Sequence, residues 1–156
     1  MSASPVEAMQ GLLNAVVEAL ALDARVEIGD DGETITGVLE GDGLGLFIGR
    51  HGQTIDAVQH LAHRVVIRAG GERRVVVDAE GYRARRTLAL THEANRAAHE
   101  ALRSGRPVAL DVMTASERKQ VHEHLRERGD VETYSEGDEP QRHLVVAPLG
   151  AARRFT

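Results

Sequence analysis

The chain has 156 residues, which suits one ordinary domain or two small ones and excludes an array of catalytic domains. It holds no cysteine, which removes disulfides, thiolate zinc sites and thiol chemistry together, and it has two Phe, two Tyr and no Trp, so stacking platforms are scarce. The net charge of -5 argues against a polyanionic partner until it is divided along the chain: residues 1–42 carry nine acids against Arg25, whereas residues 43–110 carry eleven arginines against six acids.

In chain order, Val6, Met9, Leu12, Leu13, Val16, Val17 and Leu20 recur at steps of three and four, which predicts a helix over residues 6–21. This segment has no basic leader, carries Glu7 and Glu18, and lacks an apolar run of about 18 residues, so neither a signal peptide nor a membrane span is expected. A cytoplasmic protein without membrane insertion is the simplest expectation. Alternating apolar residues on either side of "GDDGE" predict two short strands joined in a hairpin. A helical turn follows at 43–48, then the step Gly49-Arg50-His51-Gly52, then a helix from Gln53 to about Arg68. The apolar face of that helix is expected to hold Ile55, Val58, Leu61, Ala62, Val65 and Val66, leaving Asp56, His60, His63, Arg64 and Arg68 toward water. "RRVVVDAE" reads as a third strand.

An alanine-rich, arginine-bearing helix runs from Tyr82 to Leu102 and stops at "SGRP", which marks a connector between two domains. Beyond it, "RPVALDVM" supplies a strand and "TASERKQVHEHLRERG" a helix with Thr114 and Glu117 as a capping box. "DVETYSE" and "RHLVVAP" complete the pattern as strands on either side of "GDEP". The expected division is 1–80, a linking helix at 81–105, a small domain at 106–148, and a tail at 149–156.

Chemistry is most legible at "IGRHGQTI". Glycines let backbone amides approach a ligand, and the first amides of the helix at Gln53 lack partners inside the helix, which favours an anion. A Walker loop is excluded because the sole lysine is Lys119, and the dinucleotide fingerprint fails because "GLGLFIG" places its third glycine one residue late. What remains resembles the phosphate clamp of a KH module, in which the loop holds the backbone of about four nucleotides. With the helix-strand-strand-helix-helix-strand order around it, residues 6–79 resemble a type II KH domain. The second constellation is Arg118 and His122, four apart on one helical face. Its setting resembles the R-x-x-x-H domain, a single-stranded nucleic-acid binder, with Ser135, Gly137, Pro140 and Arg142 at matching positions.

The two motifs in this order, together with "GLGLFIGRHGQTIDAVQ" and "EGYRARR", resemble the bacterial Jag/KhpB family of SpoIIIJ-associated RNA-binding proteins. The resemblance implies an α+β architecture, a type II KH domain joined by a helix to the R-x-x-x-H (R-three-H) domain, and a chain without the N-terminal Jag domain of many members. It also implies a non-catalytic partner of single-stranded RNA or single-stranded DNA, acting as an RNA chaperone or post-transcriptional regulator of cell elongation and division. The small single-KH protein KhpA is the implied protein partner. The RNA-contacting set implied is Ile48, Gly49, Arg50, His51, Gly52, Gln53, Ile55 and Arg64, with Arg118, His122 and Arg142 in the second domain. No cofactor or metal is expected: His60/His63 and His122/His124 lack the spacing of the His-Glu-x-x-His helix site. The competing expectation is a protein-interaction adaptor that uses the KH fold for heterodimerisation without RNA contact.

Overall fold

The computed structural model describes residues 2–151, and the chain divides into two compact units, Met1–Arg83 and Ala84–Thr156. The last five residues of the expected tail lie outside the described residues. Each unit has its own small sheet and its own core, and the architecture is α+β, as expected.

In the first unit, α1 (Pro5–Ala19) begins at a capping box that was readable as Ser4-Pro5-Val6-Glu7: the Ser4 hydroxyl accepts from Glu7 N while the Glu7 carboxylate accepts from Ser4 N. β1 (Ala24–Asp30) and β2 (Thr34–Gly41) form the hairpin, and β3 (Arg74–Ala79) adds to β2 in parallel, giving the order β1-β2-β3. The hairpin turn is closed by Asp31, whose carboxylate accepts from Thr34 N at 2.7 Å and Glu33 N at 2.9 Å. Those bonds, Thr34 first, hold the Asp31 carboxyl below the usual aspartate range, so its stabilising share is present at neutral pH and is lost as pH falls through that lowered value.

Between β2 and β3 lie α2 (Gly45–Ile48), a single 3-10 turn (Arg50–Gly52) and α3 (Gln53–Arg68). Met9 and Leu13 of α1, Ile35 and Leu39 of β2, Phe47, and Ile55, Ala62 and Val66 of α3 are fully buried together. Leu61 differs from expectation: it is 51% exposed, because the buried positions 55, 58, 62 and 66 define a stripe that leaves it about 100° away.

The second unit departs further from expectation. The helix α4 (Tyr82–Ser104), read from sequence as a connector, carries Leu90, Ala94, Ala97 and Ala98 into the core of this unit, against Met113, Val121, Leu125, Leu144 and Val146. Alanines at helical spacing allow close approach, and their modest hydrophobicity conceals the buried stripe from periodicity reasoning. β4 (Val108–Val112), α5 (Ala115–Arg126), β5 (Val131–Glu136) and β6 (His143–Pro148) follow, with antiparallel strand order β4-β6-β5. Leu90→Ala should therefore destabilise the protein by about 2–4 kcal/mol in urea unfolding. Leu88→Ala, at a position 65% exposed on the same helix, should stay within about 0.5 kcal/mol of the parent. Equal effects of the two would remove α4 from the core.

Candidate nucleic-acid interface

The loop Gly49–Gly52 is built from a run of uncommon backbone conformations. Gly49 lies at φ 75°, ψ 176°, a region open essentially to glycine, and Gly52 at φ 76°, ψ 15° is left-handed. A Cβ on Gly49 would stand 2.8 Å from Thr54 N, and one on Gly52 would stand 2.7 Å from the Tyr82 hydroxyl. Both glycines thus answer two demands, torsion and space. His51 between them also adopts φ 55°. Among the described residues no side chain caps α3; the Gln53 amide turns back to the Arg50 carbonyl, so the loop itself frames the helix's amide end.

The expected residues of this region separate into two groups. Ile55 is fully buried, Gly52 is buried and Ile48 packs at the core's edge, so these anchor the loop from beneath. Arg50 is exposed and His51 half-buried on the loop itself. Gln53, His60 and Arg64 lie at steps that return to one face of α3, with Gln53 and Arg64 exposed, so Arg64 lies on the loop's side of the helix, about 16 Å along it from Gln53.

Beside that face, Asp56, Gln59, His60 and His63 of α3 and Arg74 and Val75 of β3 line a groove of about 360 Å³. Sequence reasoning missed its frame. Arg83 donates from Nε to the Val77 carbonyl at 2.8 Å, from one terminal nitrogen to Asp56 at 2.9 Å, and from the other to the Gln59 side-chain oxygen at 3.0 Å. Gln59 in turn accepts from Val77 N at 2.9 Å. One guanidinium therefore fixes the spacing between α3 and β3, and Tyr82 beside it lies under Gly52. The sequence signal for this frame is "EGYRARR", whose first arginine is Arg83.

In the second unit α5 is oriented by the expected capping box: Glu117 N donates to the Thr114 hydroxyl at 3.3 Å, and Glu117 accepts from Thr114 N at 3.2 Å. Glu117 is also held by Arg86, whose Nε donates to it at 2.8 Å. Arg118, His122, Ser135 and Arg142 are brought to one groove of about 470 Å³, together with Lys119 and Leu144. Their roles there differ. Arg118 is 8% exposed; one terminal nitrogen donates to the Met113 carbonyl at 2.6 Å and the other to the Glu139 carboxylate. It is a strut at the floor of the groove. His122 is exposed and its Nδ1 is hydrogen-bonded to the Thr133 hydroxyl, which fixes the ring against β5. Arg142 donates to the Gly137 carbonyl at 2.6 Å and closes the loop 137–142, which contains Pro140. Lys119, exposed beside His122, also lines this groove; lying between the two motif positions, it carries no motif signal of its own in the sequence. Tyr134, 37% exposed, also lines this groove from β5, between Thr133 and Ser135.

Among the described residues there is no metal-ligating cluster and no helix long and apolar enough to cross a membrane. Comparison with known proteins finds a match for each unit. The KhpA/KhpB KH domain matches residues 6–78 and the R-three-H domain matches residues 88–148. RNA-binding protein KhpB of Clostridium symbiosum is 36% identical over 136 residues, covering 86% of this chain and 61% of its own length. The protein of that name from Lactiplantibacillus plantarum is 37% identical over 143 residues, covering 91% of this chain and 44% of its own. That from Bacillus subtilis is 32% identical over 146 residues, covering 92% and 70%. The chain thus spans less than two thirds of the first two relatives and somewhat more of the third. With both domain matches in the expected order and identity sustained across most of its residues, the chain belongs to the KhpB (Jag) family, in which a KH domain is followed by an R-three-H domain.

Proposed function

We propose that the chain binds single-stranded RNA, using the loop Gly49–Gly52 with the α3–β3 groove in its first unit and the Arg118–His122 groove in its second. The observation that carries this reading is the amide end of α3, which no side chain caps among the described residues, framed by a glycine loop that holds Arg50 in solvent, with the α3–β3 groove on the same unit. Backbone amides and Arg50 serve the phosphates, while His60, His63, Arg74 and Val75 along the groove meet the bases. The names of its relatives support the same ligand. The chain acts by binding rather than catalysis, in the cytoplasm, as an RNA chaperone or post-transcriptional regulator of cell elongation and division, with the small single-KH protein KhpA as partner.

The test is fluorescence anisotropy with a labelled RNA of about 12 nucleotides, within the usual range of single-strand sites, against the same sequence as DNA and as an RNA duplex. Single-stranded RNA should bind tightest, and its affinity should fall as salt rises because phosphate contacts release counterions. Equal affinity for the duplex, or no binding at low salt, would sink the reading.

A further inference from the structure

We propose that Glu139 is a built-in competitor for the phosphate position of the second groove: its carboxylate occupies the Arg118 guanidinium, and an entering single strand displaces it. The inference rests on the RNA reading above but concerns a residue that reading does not use. Arg118 holds its place from below, through the buried bond to the Met113 carbonyl, so its second terminal nitrogen is delivered to the groove whether or not Glu139 is present. The two ends of the pair differ sharply in environment. The Arg118 side chain is 10% exposed, whereas that of Glu139 is 59% exposed and stands on the loop 137–142 at the rim. A carboxylate so placed is readily rehydrated on release, while the guanidinium it leaves needs another anion.

The surroundings supply such an anion with further contacts. Lys119 and His122 stand along the same groove wall, and Arg142 lines it beside β6. A phosphate chain can meet several of these at once; a single small anion meets one and gains little over Glu139. The exchange therefore favours a polyanion over free phosphate, making Glu139 a specificity-determining residue. The acidic rim also includes Glu136, 3.6 Å from His143, and Asp138, the neighbour of Glu139 in the loop.

The experiment compares the full chain with Glu139→Gln and Asp138→Asn variants, both in the parent and in an Arg50→Asp, His51→Asp background that silences the first unit. The probe is a fluorescein-labelled oligouridine of about 12 nucleotides, with inorganic phosphate as a competitor. Glu139→Gln should bind the oligonucleotide about threefold to fivefold more tightly and become more sensitive to inorganic phosphate, whereas Asp138→Asn, which removes the same charge one residue away, should change affinity less than about twofold. Unchanged or weaker binding by Glu139→Gln would overturn the competitor role and leave the RNA reading standing, since the parent still binds. Equal gains from both variants would reduce the effect to general charge and overturn it too. Absence of binding by every form would overturn both readings, and a Glu139→Gln variant that binds where the parent does not would support the competitor role outright.

Discussion

Reversing the loop charge, by Arg50→Asp together with His51→Asp, should weaken the binding of short single-stranded RNA by about 100-fold while leaving the thermal midpoint within about 4 °C of the parent. A hydrogen bond from a charged donor such as Arg50 contributes about 1.5–3 kcal/mol, and the two introduced carboxylates repel the phosphates as well, so the loss is about 3 kcal/mol. Aspartate tolerates the left-handed conformation that His51 adopts, and Arg50 is exposed, so the fold has no reason to change. Anisotropy at matched salt reads the affinity and circular dichroism the melting. Parent-like affinity with a parent-like melt would exclude the loop from the binding surface.

The second large effect is on the loop's architecture. Gly49→Ala should destabilise the first unit by about 2–4 kcal/mol and lower its melting temperature by about 10 °C or more, in line with what a domain of this size loses per such increment. The torsions at Gly49 exclude a side chain, and the added carbon would overlap Thr54 at both its amide and its hydroxyl, atoms that belong to the first turn of α3. RNA binding by this unit should fall with it. A variant that melts like the parent would mean the loop can be rebuilt at little cost, and the geometric account of the motif would fail.

Local signals carried the sequence reading a long way. The period of α1, the turn between β1 and β2, the capping box of α5 and the glycine step before α3 are each decided within a few residues, and all are present. What sequence left hidden depends on residues far apart in the chain. Arg83 joins Asp56, Gln59 and Val77, and no spacing rule connects those positions. Arg118 and His122 were correctly placed on one helix, but which of them would be buried turned on Met113 and on a loop some twenty residues later. The role of α4 was hidden differently: alanine packs well and signals weakly, so a helix that builds a core read as a spacer.

β3 is the outer strand of its sheet, and an outer strand with open amides and carbonyls invites another strand to pair with it. At Val77 both groups are already taken by side chains, the amide by Gln59 and the carbonyl by Arg83, and the Ala79 amide is held by Asp78 at 2.8 Å. At the middle of this edge an incoming strand would first have to displace both Gln59 and Arg83, which makes Val77 a poor point for a strand of a neighbouring molecule to add to the sheet.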